Sequence, residues 1–184
     1  IMVRDEHTGA LIASPGAEGV SSGLAVETLR DGRLLVTEKR GQLRVYTVGG
    51  STATITGLPA VSYGGQGGLL DVVLHPGFAA NNLIYFSYAE AGANSTRGTV
   101  VARARLTLSP QGGGSLSNVQ VVWRQVPKVT GPNHFGGRIA FGADGRLWIT
   151  SSERFQFQPA QDMILSPRVS GQVLELCGTH PVYV

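Results

Sequence analysis

Cysteine is nearly absent from this sequence, since Cys177 is the single cysteine among 184 residues. One cysteine excludes an intrachain disulfide, a zinc site built on cysteines and a redox pair. Long apolar runs are also missing, because the longest last only a few residues, and no membrane span is expected. The chain opens without a charged start and an apolar core, so no signal peptide is expected within it.

Charge is scarce as well. Only 15% of the residues are charged, against roughly 25% in an average soluble protein. The net charge of +3 comes from arginines and lysines that are scattered among the acids without forming a basic block. Proteins that bind nucleic acid cluster their positive charge, so we expect no nucleic-acid partner. With 42% hydrophobic residues the chain can bury a core, and it is too apolar for a disordered protein.

Glycine, in contrast, is abundant, with 26 residues in 184. This is about twice the usual share. No G-X-Y period accompanies it, which excludes collagen. Glycine inside a helix weakens the helix, and no amphipathic pattern of three helical turns occurs in the sequence. We therefore expect an all-β protein with many turns.

A short pattern recurs along the chain. Asp31-Gly32-Arg33 and Asp144-Gly145-Arg146 each lead into a short apolar run that ends in threonine, which is typical of a hairpin. A looser copy leads from His75 into a third run. The runs begin at residues 34, 83 and 147, which are 49 and 64 residues apart. Such spacings predict the blades of a β-propeller, which repeat at about 40–50 residues and lengthen by loop insertion.

β-Branched and aromatic residues predict strands in two groups of four and one group of three. The predicted strands are 24–28, 33–38, 42–47, 52–56, 69–74, 83–88, 99–107, 118–124, 137–142, 146–151 and 172–176. A β-sandwich would explain the alternating strands but not the turn that recurs at the same place in each group. We interpret the groups as about three blades of a β-propeller. Three blades do not close a ring, so the open sheet edges could associate with another chain.

Three polar side chains are expected to meet at one mouth of the propeller axis. The first strand of each group should line the axis, and Gln66 and His134 each stand three residues before such a strand. The second strand runs antiparallel to the first, so Glu153 should return close to His134. An imidazole with a carboxylate on its other nitrogen suits proton abstraction near neutral pH. Gln66 offers a ligand both a donor and an acceptor, and the glycines around it would let a flat ligand approach the backbone.

Each of these residues also has a structural interpretation. A histidine in a loop is more often a surface or turn residue than a catalyst. The matching positions of Gln66 and His134 in successive groups favour a site.

Several spaced motifs occur in an order that resembles a known family. They are GRLLVTE (32–38), GQGGLLD (65–71), NLIYFSY (82–88), PKV (127–129), NHFGGR (133–138) and ERFQFQPAQD (153–162). Together they resemble the glucose/sorbosone dehydrogenase family of soluble quinoproteins, particularly its aldose sugar dehydrogenases. The resemblance covers about residues 20–176 and corresponds to the N-terminal half of such an enzyme.

The resemblance implies a six-bladed β-propeller that binds pyrroloquinoline quinone and calcium at one mouth and oxidises the C1 hydroxyl of an aldose to a lactone. By residue match, His134 is expected as the general base, Gln66 as a cofactor-binding residue and Glu153 as the acid that orients the histidine. Calcium would polarise the quinone carbonyl. An aldose substrate and a periplasmic or secreted location are also implied, while the electron acceptor stays open.

The match has departures. Ser21-Ser22-Gly23 stands where the family usually has Pro-Trp-Gly, and Ser152 stands where a glycine commonly precedes the acid. Residues 177–184 do not match, so we divide the chain into an extension (1–20), a partial propeller (21–176) and a divergent tail (177–184). The family's later blades, which carry the cations that grip the quinone and the calcium ligands, have no counterpart in this chain.

Two other functions stay open at this point. A propeller can serve as a non-catalytic binding scaffold, since a fold does not determine a function. A calcium-dependent lactone hydrolase is a third interpretation. It would need several inward carboxylates and asparagines at the blade starts, and only Asn133 stands near one.

Overall fold

The computed structural model of the protein describes residues 3–4, 11–13, 23–47, 49, 51–110, 112–155 and 173–177. Within these residues the regular secondary structure is almost entirely strands, and the single helical turn α1 (Phe78–Asn81) is the only helix. The expectation of an all-β protein is confirmed. None of the described helical structure is long and apolar enough to span a membrane.

The strands, in chain order, are β1 (Val3–Arg4), β2 (Leu11–Ala13), β3 (Gly23–Thr28), β4 (Leu34–Glu38), β5 (Gln42–Tyr46), β6 (Thr52–Thr56), β7 (Leu69–Leu74), β8 (Leu83–Ala91), β9 (Arg97–Leu108), β10 (Gly114–Arg124), β11 (Gly136–Phe141), β12 (Leu147–Ser151) and β13 (Val173–Cys177). Every strand predicted from the sequence is present, with ends that shift by at most four residues. The short antiparallel pair β1–β2 was not predicted.

Two four-stranded meanders make up most of the fold. The strands β3 to β6 pair antiparallel in sequence order, and so do β7 to β10. Their outer strands β6 and β10 also pair in parallel, Ile55 with Gly114 and Thr56 with Ser115, which joins both meanders into one eight-stranded sheet. The meanders are two complete blades, and the fold is a partial β-propeller, as expected.

The third sheet departs from the blade pattern at its last strand. β11 and β12 form the antiparallel pair of a blade, but β13 runs parallel to β12. A blade meander would continue antiparallel. Parallel neighbours need a crossover connection of roughly a dozen residues or more, and the stretch 152–172 between β12 and β13 has that length.

The first strands of the two meanders, β3 and β7, and the first strand of the third sheet, β11, lie side by side, as the inner strands of neighbouring blades do. β7 contacts both β3 and β11. Buried polar groups link the sheets across these contacts. The hydroxyl of Thr37 donates to the carbonyl of Leu70 at 3.1 Å, and the backbone N–H of Ile139 donates to Oδ2 of Asp71 at 2.9 Å. These buried hydrogen bonds therefore attach β7 to the neighbouring strands β4 and β11.

Apolar clusters fill the spaces between the sheets. The largest joins both complete blades, and a second packs the outer face of the second blade, at Val101 and Trp123, against Ile139 and Ile149 of the third sheet. A small third cluster of Leu70, Ala89 and Phe135 lies beneath the start of β11. It supports the loop that carries His134.

The recurring turn has the same geometry in both copies. In each copy the backbone N–H two residues after the aspartate donates to the aspartate Oδ1, at 3.1 Å for Asp31 and 3.0 Å for Asp144. The glycines Gly32 and Gly145 have φ values of +81° and +79°, a region that favours glycine. The repeat detected in the sequence is thus a repeat of one hairpin.

Candidate active site

Two loops meet where β7 and β11 begin. Gln66 precedes β7, and His134 precedes β11. The backbone N–H of His134 donates to Oε1 of Gln66 at 2.8 Å, and the backbone N–H of Gln66 donates to the carbonyl of Pro132 at 2.8 Å. This reciprocal pair of hydrogen bonds holds the loops together. Within the described residues, the side-chain nitrogen of the exposed Gln66 makes no hydrogen bond.

Glu153 returns to His134 from the end of β12. Ser151 pairs with Gly136 at the edge of the third sheet, which brings the following residues beside the His134 loop. Oε1 of Glu153 contacts Nδ1 of His134, and the hydroxyl of Ser152 donates to Oε2 of Glu153 at 2.5 Å. The structure therefore brings Gln66, His134 and Glu153 to one place.

The charge state of Glu153 determines the tautomer of the histidine. The hydrogen bond from Ser152 and then the one from His134 lower the pKa of Glu153 to about 2. The carboxylate is therefore ionised near neutral pH, and an ionised carboxylate can only accept a hydrogen bond. Nδ1 of a neutral His134 must then carry the proton, which leaves Nε2 with a free lone pair.

An open cavity of about 440 Å³ lies at this junction. This volume is within the range of small-molecule sites. Its lining residues are Gln66, His134, Phe135, Gly136, Ser152 and Glu153. They combine a hydrogen-bond donor, a base and a carboxylate around an apolar floor, and none of them carries a cationic side chain.

Phe155 packs against His134 beside the cavity. Its ring stacks on the imidazole of His134 with centroids 3.7 Å apart and planes inclined by 25°, and the residue is 48% exposed. His134, Arg154 and Phe155 have φ values of +53°, +57° and +61°. Such values are uncommon outside glycine and concentrate at functional sites. No pattern in the sequence identifies the contacts of Arg154 or Phe155, because both depend on these backbone conformations.

The glycines around Gln66 have a packing role. A Cβ on Gly65 would lie 2.5 Å from Cβ and the carbonyl oxygen of Pro132, and a Cβ on Gly67 would lie 2.7 Å from the ring of Phe135. These glycines therefore allow the two loops to approach each other. That they also expose backbone to a flat ligand stays a prediction.

Metal binding has no support in the described part of the chain. No three side chains of histidine, cysteine, aspartate or glutamate lie close enough there to hold an ion.

Known proteins are similar to this chain in sequence and fold. The family model for glucose/sorbosone dehydrogenase matches residues 20–178. Aldose sugar dehydrogenase YliI of Escherichia coli (strain K12) is 39% identical over 144 residues, which are 78% of this chain and 37% of that protein.

Solved structures agree with this assignment. The crystal structure of the soluble aldose sugar dehydrogenase of Escherichia coli in the apo-form has a TM-score of 0.71 at 39% identity, covering 78% of this chain and 41% of the other. The PQQ-bound aldose sugar dehydrogenase of Streptomyces coelicolor has a TM-score of 0.68 at 26% identity, and the match covers 85% of this chain and 44% of the other. The chain thus spans less than half the length of these relatives. Because the family model matches most of its residues, the chain belongs to the glucose/sorbosone dehydrogenase family of oxidoreductases.

Proposed function

We propose that the chain carries the proton-abstracting part of a sugar dehydrogenase site that works with pyrroloquinoline quinone (PQQ). In this proposal His134 is the general base for oxidation of the C1 hydroxyl of an aldose to a lactone. One observation carries the proposal: the contact between Nδ1 of His134 and the ionised carboxylate of Glu153, which leaves Nε2 free to accept a proton. The PQQ-bound relative from Streptomyces coelicolor supports the choice of cofactor.

The base chemistry follows from the tautomer. Nε2 of His134 takes the proton of the C1 hydroxyl, and Glu153 stabilises the imidazolium that forms. PQQ, when bound, supplies the acceptor for the C1 hydrogen and its two electrons. The stacked ring of Phe155 limits rotation of the imidazole, so Nε2 keeps one direction.

The residues present fit one edge of this cofactor. The side-chain N–H groups of Gln66 are exposed and make no hydrogen bond within the described chain, so they can donate to a quinone carbonyl. The cofactor's carboxylates find no cation among the cavity residues. Among the cavity residues, the carbonyl edge would therefore be held by the N–H groups of Gln66, while Nε2 of His134 stays available to the substrate hydroxyl. Calcium enters this proposal through the family resemblance only, and we assign it no ligand and no step.

The substrate class and the location rest on the same likeness. An aldose is proposed because relatives are named as aldose sugar dehydrogenases. A periplasmic or secreted location is part of the proposal on family resemblance alone. The electron acceptor that would reoxidise the cofactor stays open.

A titration of PQQ into the chain, followed by quinone absorbance, tests the binding part of the proposal. We expect saturable binding that Gln66→Ala weakens, while Gln120→Ala, a change at an exposed glutamine on β10, leaves binding unchanged. A non-catalytic scaffold predicts no quinone binding at all. That result would overturn the proposal in favour of the scaffold.

The catalytic part needs the rest of the propeller. A chimera in which residues 20–178 of this chain replace the matching segment of the Escherichia coli relative provides it. With PQQ, calcium and a redox dye, we expect the folded chimera to oxidise aldoses and its His134→Ala variant to lose most of this activity. Unchanged turnover in His134→Ala would show that His134 is not the base.

A further inference from the structure

A buried guanidinium lies beneath the His134 loop. Arg154 is 1% exposed, and its Nε, Nη1 and Nη2 donate to the carbonyls of Asn133, Arg97 and Gly131 at 2.6, 2.9 and 2.5 Å. Its Cζ lies 3.5 Å from the ring centroid of Phe135. Burial lowers the pKa of Arg154 to about 10, so the group stays charged near neutral pH. Hydrogen bonds from a charged donor are stronger than neutral ones.

These contacts fix the peptide unit that positions His134. Its carbonyl, that of Asn133, accepts from Arg154, and its N–H donates to Oε1 of Gln66 at 2.8 Å. The peptide plane is therefore held at both ends. His134 leaves this plane with a φ of +53°, a conformation that persists only where the surroundings hold it.

The rest of the loop is held in the same way. The carbonyl of Gly131 accepts from Arg154, that of Pro132 from the N–H of Gln66, and that of Phe135 from the hydroxyl of Thr99 at 2.6 Å. Arg154 thus makes two hydrogen bonds to the loop, to the carbonyls of Gly131 and Asn133, and its third ties the loop to Arg97 at the start of β9.

Arg154 also follows Glu153 directly in the chain. Its side chain is anchored under the His134 loop, so the same contacts that hold this loop also hold the backbone that carries the carboxylate. We propose that Arg154 is a positioning residue, which places Nδ1 of His134 against Glu153 and thereby sets the tautomer of the imidazole. The effect on catalysis rests on the proposed function, but the effect on the tautomer does not.

A merely structural arginine would behave differently. Its replacement would lower stability and leave the His134 tautomer of the folded molecules unchanged. Arg154→Lys keeps a positive charge but replaces the planar guanidinium by an ammonium on a single nitrogen. That nitrogen cannot reach all three carbonyls, which the guanidinium binds through three different nitrogens. Arg105→Lys is the matched control, because Arg105 is an exposed arginine of β9 that donates to one carbonyl.

The test is ¹⁵N NMR of the imidazoles in the histidine-labelled chain, without quinone or sugar. We expect a protonated Nδ1 and an unprotonated Nε2 for His134 in the wild type and in Arg105→Lys. In folded Arg154→Lys we expect a mixture of tautomers and exchange of the Nδ1 proton about tenfold faster or more. An unchanged tautomer and exchange rate in folded Arg154→Lys would overturn the proposal.

Native-state hydrogen exchange of the wild type decides the matter if Arg154→Lys does not fold. The Nε–H of Arg154 and the backbone N–H of His134 should exchange through the same local opening of the structure, so their exchange rates should depend on denaturant in the same way. Opening of the His134 N–H while the Arg154 Nε–H stays protected would also overturn the proposal. Because these readouts need no ligand, they separate this proposal from the failure of quinone binding.

In the chimera, Arg154→Lys should lower kcat by about 10²-fold with little change in KM, since misplacing a base affects the chemical step. An equal decrease of kcat in Arg154→Lys and Arg105→Lys would indicate general destabilisation and contradict the positioning role.

Discussion

The backbone N–H of His134 donates to Oε1 of Gln66 at 2.8 Å, although 68 residues separate the two in the chain. This hydrogen bond orients the carboxamide of Gln66, because its oxygen accepts from the neighbouring loop. A ligand at this site would therefore meet a carboxamide of fixed orientation, whose two N–H groups make no hydrogen bond within the described residues. The sequence predicted both a donor and an acceptor for the ligand, and the structure commits the acceptor to the partner loop.

Gln66→Glu separates the two roles of this side chain. The carboxylate can still accept from the N–H of His134, so the loop should keep its structure. It has no proton to donate to a quinone carbonyl and adds a negative charge there. We expect the affinity for PQQ to fall about 10- to 100-fold, which is the usual effect of losing a hydrogen bond to a ligand and adding repulsion. Quinone absorbance titration measures this, with Gln120→Glu as the control, and equal affinities in wild type and Gln66→Glu would contradict it.

Glu153→Gln should reverse the tautomer of His134. The amide N–H₂ of a glutamine can donate to Nδ1, which favours the proton on Nε2 and removes the base. By analogy with an aspartate-to-asparagine change in a histidine–aspartate pair, we expect turnover of the chimera to fall about 10³- to 10⁴-fold. Single-turnover rates measure this.

Glu90→Gln is the matched control for that experiment, because Glu90 pairs with Arg124 and Lys128 away from the cavity. Comparable losses in Glu153→Gln and Glu90→Gln would argue against a role for the tautomer.

Ser152→Gly tests the cause of the low pKa of Glu153. The hydrogen bond from Ser152 is the largest influence that lowers the pKa of Glu153 to about 2, so its removal should raise this pKa toward the ordinary value of 4.5. Because the folded pKa lies below the unfolded one, the ionised carboxylate stabilises the fold fully above about pH 4.5, and this contribution disappears as pH falls through about 2. In Ser152→Gly the folded pKa lies nearer the unfolded one, so the loss should be smaller and should be complete at a higher pH than in the wild type.

The pH dependence of the unfolding free energy between pH 2 and pH 6 measures this shift, together with ¹³C titration of the Glu153 carboxyl. Asp31 is the internal reference, because Arg33 holds its pKa below the usual range far from the site. A Glu153 titration that is identical in wild type and Ser152→Gly would exclude the hydroxyl as the cause.

The parts of the fold that the sequence predicted are those that local chemistry determines. The strands are predicted by alternating apolar and polar residues and by β-branched and aromatic content. The turns at Asp31 and Asp144 are predicted because an aspartate side chain accepts a hydrogen bond from the backbone two residues further on. The meeting of Gln66, His134 and Glu153 follows from equivalent positions in neighbouring blades. The direction of β13 has no such local signal.

The contacts that no pattern predicted depend on tertiary structure. Arg154 binds carbonyls on two distant segments, and Phe155 reaches the imidazole only because its own φ is positive. The packing role of the glycines before β7 also depends on tertiary structure. Their missing side chains make room for Pro132 and Phe135, which the sequence does not place beside them.

Asp71 provides the last prediction, on how the third sheet is attached beside the site. The residue is 4% exposed, and its Oδ2 accepts from the backbone N–H of Ile139 at 2.9 Å. Asp71→Ala leaves that buried N–H without a partner, so we expect a loss of about 1–3 kcal/mol in the free energy of unfolding. Asp71→Asn keeps a side-chain oxygen and should lose less. Arg138→Ala removes only the highly exposed guanidinium 3.2 Å from Oδ1 and should cost under about 1 kcal/mol.

Urea unfolding of the three variants measures these differences, and hydrogen exchange of the His134 N–H follows the consequence for the site. Since β11 begins at Gly136, loosening its contact with β7 should speed exchange at His134 in Asp71→Ala but not in Arg138→Ala. If Arg138→Ala is as destabilised as Asp71→Ala, the ion pair and not the backbone hydrogen bond attaches the sheet.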